Sequence, residues 1–185
     1  MSRKYKFHNP TAAYFVSFAT VYWIDVFTRE DYFKIIANSL AFCRKEKGME
    51  LFAYCIMPSH LHLLFRSQNE NPGGLLRDFK GFTSKNIVRA INENPQESRK
   101  EWMLWMFKKA GAKNSNVKEY QFWQQHNQPI ELWSTPVIKQ KLSYIHNNPI
   151  KSGFVKEAWE WKYSSARNYA EMDAVIAIDE VGFLG

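Results

Sequence analysis

Residues 49–66 read MELFAYCIMPSHLHLLFR. Two runs of apolar, β-branched and aromatic residues flank a Pro58-Ser59 pair. Pro and Ser are turn residues, so the stretch predicts a hairpin with one strand over 49–57 and the next over 60–66. In a strand, residues i and i+2 share a face. Leu61, Leu63 and Phe65 therefore point together into a core, and His60 and His62 project together from the opposite side.

On the N-terminal side, residues 13–24, AYFVSFATVYWI, read as a long strand. Thr28 has the chemistry of a helix N-cap, with Asp31 at the third helical position. Phe33, Ile36, Ala37, Leu40 and Ala41 follow at helical spacing, and Gly48 supplies the stop. On the C-terminal side, Pro72-Gly73-Gly74 opens a second helix, from Leu75 to about Asn92. Its apolar face is Leu75, Leu76, Phe79, Phe82, Ile87 and Ile91. Residues 95–118, with WMLWMF and then GAKNSN, read either as an insertion or as a continuation of that helical region. A fourth strand is expected around YQFWQQ, at 120–125. Thr135-Pro136 starts a third helix that ends or kinks at about Asn148, before Pro149. The order strand–helix–strand–strand–helix–strand predicts an α+β fold. It is a ferredoxin-like or RRM-like split βαβ antiparallel sheet with helices on one face and a further C-terminal helix. Residues 1–185 read as one domain with a basic arm at 1–10 and a tail at 156–185.

Hydrophobic residues make up 45% of the 185, enough for a packed core and too many for a disordered chain. Lys and Arg number 25 against 18 Asp and Glu, a net charge of +7 that favours an anionic partner such as nucleic acid. Cys43 and Cys55 form no C-x-x-C pair and read as buried free thiols in a reducing compartment. The first residues, MSRKYKFHNP, carry no apolar signal core, and no run reaches the length of a membrane span. A cytoplasmic protein without membrane attachment is the expectation.

Two imidazoles on one strand face suit a metal ion, yet a lone His-x-His is weak evidence. Zinc would want further ligands, and His8, His126 and His146 show no ligand spacing. A histidine-triad hydrolase would need a third His where Leu64 stands, and a two-histidine phosphodiesterase would need a second such motif. On the third helix, Ile138, Leu142 and Ile145 form an apolar stripe, while Tyr144 and Asn148, four apart, share another face. If that helix packs beside the hairpin, a phenol, an amide and two imidazoles converge. Spacing alone favours the plainer reading, in which Tyr144 is half-buried and Asn148 caps the helix.

The pairing of MPSHLHLLF with the distant YIHNNPIKSGFV (144–155) resembles the single-tyrosine HUH transposases, the IS200-like group. The closer resemblance is to the REP-associated tyrosine transposases. Trp123-Gln124 and YSSARNYA (163–170) also fit that pattern, which spans nearly the whole chain. The resemblance implies a metal-dependent endonuclease and strand transferase for single-stranded DNA. His60, His62 and Asn148 would be the ligands of a divalent metal, Mg²⁺ or Mn²⁺. Tyr144 would be the nucleophile, forming a 5′-phosphotyrosine, with weak help from Lys141. The implied partner is single-stranded DNA with a palindromic-repeat hairpin and an unpaired guide. The implied assembly is a monomer or a homodimer.

Contacts to that DNA are expected from Arg3, Lys4 and Lys6 in the arm, from Arg77, Lys80, Lys85 and Arg89 on the second helix, and from Lys151. Trp102, Trp105, Trp159 and Trp161 are candidates for stacking on bases, with core packing the commoner use. Two other classes remain open. One is a catalytically silent single-stranded nucleic-acid-binding module. The other is an HUH replication initiator or relaxase, against which the short chain argues.

Overall fold

The computed structural model describes residues 6–115, 117, 119–125 and 127–181. The 49–66 hairpin forms as β2 (Met49–Ile56) and β3 (His60–Ser67). Strand β1 (Tyr14–Ala19) pairs antiparallel with β3, setting Ser17 opposite His62 and Ala19 opposite His60. A short β4 (Ile130–Glu131) pairs with the outer edge of β1. The sheet order β2-β3-β1-β4 is that of the split βαβ fold.

Helices α1 (Glu30–Glu46) and α2 (Pro72–Glu93) pack side by side on one face. Ile36, Leu40, Leu76, Phe79, Ile87 and Ile91 meet Val16, Phe18, Leu61, Leu63 and Phe65 there in one apolar cluster. Helix α4 (Thr135–Lys151) lies on the other face, where Ile138 and Ile145 cover Phe15, Ala53, Cys55 and Leu64. A bulge in β2 between Leu51 and Ala53 puts two successive residues, Phe52 and Ala53, into this second cluster.

Several expectations are corrected. Strand β1 stops at Ala19, because the buried Thr20 hydroxyl donates to the Ile24 carbonyl at 2.8 Å and closes a turn over Val21–Trp23. The N-cap of α1 is Arg29; the Thr28 hydroxyl instead accepts from Arg99 at 2.9 Å. The fourth strand is β4, not YQFWQQ. Residues 122–124 run beside the end of β1 with a single bridge, Thr20 to Trp123, because the Trp123 ring turns into the core and its Nε1 donates to Thr83.

The segment from 95 to 118 contains α3 (Lys100–Gly111), which buries Met103, Phe107 and Ala110 and leaves Trp102 and Trp105 exposed. Gly111 is required, since a Cβ there would run into the Glu119 carbonyl. Helix α4 continues through Pro149 to Lys151 and closes at Gly153, whose φ is +75°.

The segment after Gly153 docks on β2. Ser165 N–H donates to the Tyr54 carbonyl at 2.9 Å and Ile56 N–H to the Tyr163 carbonyl, so the exposed edge of the sheet is covered. A short helix α5 (Ala166–Tyr169) follows. Asp179 closes the docking with a fork to Arg44 at 2.6 and 2.9 Å and a bond from Leu51 N–H at 2.7 Å. Cys43 and Cys55 are buried free thiols. Among the described residues no helix is long and apolar enough to cross a membrane.

Candidate active site

The alternation along β3 sends His60 and His62 to the α4 face of the sheet. Their ring centroids are 4.8 Å apart. Asn148, in the last turns of α4, inserts its amide between them. The Asn148 Oδ1 lies 3.2 Å from His60 Nε2, and its Nδ2 lies 3.2 Å from His62 Nε2. The most economical proton assignment has His60 Nε2–H donating to the amide oxygen and Ser59 Oγ donating to His60 Nδ1 at 3.3 Å. His62 Nε2 then accepts from the amide, and its proton sits on Nδ1, which is buried without a partner.

Burial holds both rings neutral. Desolvation pulls His62 down to about 3, with the neighbouring His60 adding to the effect. Desolvation also lowers His60, against the opposing pull of the Asn148 bond and of Asp25. Two neutral imidazoles and an amide oxygen within reach of one another fit a divalent cation in donor type, once the His60 proton moves from Nε2 to Nδ1, where Ser59 Oγ can accept it. Among the described residues no group of three His, Cys, Asp or Glu could hold a metal, and the Asn148 amide oxygen is the further protein donor beside the two imidazoles.

Tyr144 stands one helical turn before Asn148. Its ring is edge-on to His62 at 5.2 Å and to Phe15 at 5.8 Å, and it is 42% exposed to solvent. Phe15 stacks on His62 at 5.8 Å and carries the Lys141 ammonium 5.1 Å from its ring centre. On the opposite flank, Trp23 is edge-on to His60 at 5.4 Å. Trp23 and the preceding Tyr22 both have φ of +56°, a left-handed conformation that costs bulky residues on the order of 1 kcal/mol each.

Helix α4 is tied down by the segment that follows it. With the Ser165 hydroxyl donating to the Tyr54 carbonyl at 3.2 Å, the proton assignment that satisfies both groups has His146 Nε2–H donating to Ser165 Oγ at 2.9 Å. The His146 ring packs on Tyr169 at 5.0 Å, and burial pulls its pKa down to about 4.

The structure thus brings His60, His62, Tyr144 and Asn148 together and separates the basic residues. Lys80 is turned inward. Its ammonium donates to the Gln124 carbonyl at 2.9 Å and to Asn127 Oδ1 at 2.7 Å, and burial lowers it to about 8. Both bonds turn it toward the 124–127 segment instead of outward to solvent. Arg77, bonded to Asp78, and the exposed Lys85 and Arg89 belong to the helix layer across the sheet from the histidines. Lys151 is exposed at the end of α4, and Lys6 is exposed; Arg3 and Lys4 lie outside the described residues. Trp102, Trp105 and Trp159 are exposed, contrary to the core use expected of most of them. Sequence reading missed Phe15, Trp23 and His146. The alternation of β1 against a His-bearing strand would have pointed to Phe15.

A family profile described as "Transposase IS200 like" matches residues 11–125, which include the His pair and end before α4. A Haemophilus influenzae protein named among the REP-associated tyrosine transposases is 28% identical over 116 residues. The match takes in 63% of this chain, which spans 58% of that relative's length. A REP-associated tyrosine transposase solved bound to a REP hairpin shares the fold. Its TM-score is 0.64 at 15% identity, over 98% of this chain and 93% of that one.

Proposed function

The chain belongs to the IS200-like transposase family, and on that footing we propose that it nicks single-stranded DNA beside a hairpin and joins the cut end to another strand. The nucleophile is the Tyr144 hydroxyl. Its oxygen attacks the scissile phosphorus, its proton passes to solvent, and the bond from phosphorus to the 3′ oxygen breaks. The leaving oxygen takes up a proton as a free 3′-hydroxyl, and a 5′-phosphotyrosine remains. One phosphate diester has replaced another, so a second 3′-hydroxyl can reverse the step without ATP.

His60 and His62, through Nε2, and Asn148, through Oδ1, are the residues that would hold Mg²⁺ or Mn²⁺. When bound, such an ion supplies Lewis-acid polarisation of a phosphate oxygen, undiminished by its neutral ligands. This chain's own residues orient the reaction. Asn148 fixes the register of α4 against β3, and Phe15 supports the Tyr144 ring edge-on. Lys141 holds its positive charge over the Phe15 ring, on the Tyr144 side of the site, favouring an approaching phosphate. A hairpin as partner follows from likeness to the relative that was solved with one.

The observation that carries this reading is the meeting of two distant motifs. The Asn148 amide is 3.2 Å from both imidazoles, and Tyr144 stands one turn away with its ring 5.2 Å from His62. The test is incubation with repeat hairpins from the DNA beside the gene, with their unpaired flanks, in Mg²⁺ or Mn²⁺. A covalent protein–DNA band on a denaturing gel is expected from the wild type and none from Tyr144→Phe. Binding with no adduct in either metal would leave a silent single-strand-binding module instead.

A further inference from the structure

We propose that Trp23 is a stacking platform for an unpaired nucleobase next to the scissile phosphate. The inference rests on the strand-cleavage reading above and adds a base-binding subsite to it.

The starting observation is a conflict between local conformation and residue type. Tyr22 and Trp23 both adopt φ of +56°, where Gly or Asn is the usual occupant. Neither aromatic is rewarded by burial, since Tyr22 is 45% and Trp23 58% exposed. The turn is nonetheless firmly held. Val21 and Ile24 on either side are buried, and Val21 N–H donates to the Phe122 carbonyl at 2.8 Å. Trp23 N–H donates to the Thr20 carbonyl at 3.1 Å, and Gln124 Nε2 donates to the same oxygen at 3.0 Å. Thr20 itself is fully buried, and its N–H donates to the Ser59 carbonyl at 2.9 Å, next to His60. The turn and the His hairpin are therefore one rigid unit, and the fold forces this aromatic pair outward beside the site. Strain held by surrounding structure at exposed residues is a mark of use.

The position identifies the ligand. The Trp23 ring lies 5.4 Å from His60, on the flank of the histidine pair away from Tyr144's partner Phe15. A strand whose phosphate sits at the His pair has its neighbouring base within reach of that ring. An indole stacks on any base, so the platform holds the strand without reading its sequence.

The experiment uses the Tyr144→Phe variant as background, so that binding is read without cleavage. Affinity is measured for a repeat hairpin with its unpaired flank, and for the same DNA with an abasic site at each flank position in turn. Trp23→Ala should weaken binding of the intact strand by about tenfold. One abasic position should weaken binding to the Trp23 protein by a similar factor and have no further effect on Trp23→Ala. Trp23→Phe should recover most of the loss, and Trp23→Ala should leave Mn²⁺ affinity and the melting temperature unchanged. If the two effects multiply independently at every position, the platform falls while the cleavage reading stands. Loss of Mn²⁺ affinity in Trp23→Ala would make the indole a support for His60 and would also overturn it. Failure of every protein to bind any of these strands would remove both readings together.

Discussion

The two faces of the sheet differ in kind. Against α1 and α2 the sheet presents Val16, Phe18, Leu61, Leu63 and Phe65, all buried in a continuous apolar cluster. Against α4 it presents Phe15 and Leu64 interleaved with His60 and His62, under a helix that buries only Ile138, Ile145 and Pro149. Strand β3 thus divides its labour by parity, with one set of residues stabilising the fold and the other, on the proposed reading, carrying the chemistry. The comparison teaches where damage should appear. Changes on the helix side should unfold the protein, and changes on the α4 side should disable it while it stays folded.

The sharpest break is Tyr144→Phe. It removes one oxygen from an exposed ring that makes only edge contacts, so stability should change by no more than about 0.5 kcal/mol. Covalent adduct should fall below detection. A persistent adduct, mapped by proteolysis to another tyrosine, would refute the assignment; Tyr54 is an unsuitable substitute because it is fully buried.

Next come the imidazoles. His60→Ala and His62→Ala should each lower adduct formation by about a thousandfold, the several kcal/mol that a Lewis acid supplies. Excess chelator should do the same to the wild type. Asn148→Ala should lose less, because water can replace a neutral oxygen. Adduct formed at the full rate in chelator would end the metal mechanism.

Leu40→Ala tests the opposite face. Leu40 is fully buried in the α1–α2 cluster, and its truncation should destabilise by about 3 kcal/mol, read as a lower urea midpoint. Adduct formation per folded molecule should be unchanged. A catalytic defect without a stability loss would contradict the division between faces.

Acid should separate the faces more gently. His62 and His146, both on the α4 side, are held down at about 3 and about 4 by burial, against about 6.5 in an unfolded chain. Below pH 6.5 the unfolded state takes up protons that the folded state refuses, so stability falls as pH falls. Between pH 6.5 and 5 each group should forfeit roughly 1–2 kcal/mol in metal-free protein. His146→Gln should remove its share, making the urea midpoint less sensitive to pH over that interval. An unaltered pH response in the variant would mean that His146 is not the buried neutral group described here.

Much of this was legible in the sequence for physical reasons. The period of two in 60–66 and the helical periods after Thr28 and Pro72 follow from burial on one face, which leaves a direct mark on residue type. The meeting of Tyr144 and Asn148 with the His pair was legible only through resemblance, because no local pattern fixes which sheet face α4 covers. Helix α3 was hidden because Trp102 and Trp105 are exposed and blur its period. The fourth strand was misplaced because Phe122 and Trp123 are aromatic for the sake of the core, not of a ladder. The inward turn of Lys80 had no signal at all. A lysine on a helix reads as surface until Gln124 and Asn127 are brought over it.

The smallest effect tests whether DNA respects the same division. Lys141 belongs to α4 and stands over Phe15 beside Tyr144, while Lys85 is exposed on α2 across the sheet. On the proposed reading, phosphates of the unpaired flank pass the first on the way to Tyr144, and nothing in that reading requires them to meet the second. Each phosphate neutralised on a single strand contributes about −0.7 to the slope of log affinity against log salt. Lys141→Glu should therefore reduce the steepness by about 0.7 for a hairpin with its flank and leave the bare hairpin unaffected. Lys85→Glu should alter both DNAs alike, or neither, because any contact it makes is to the duplex stem. Salt titrations of the two variants on the two DNAs give the comparison directly. A flank-dependent change from Lys85→Glu, with none from Lys141→Glu, would place the single strand on the helix layer and overturn the division.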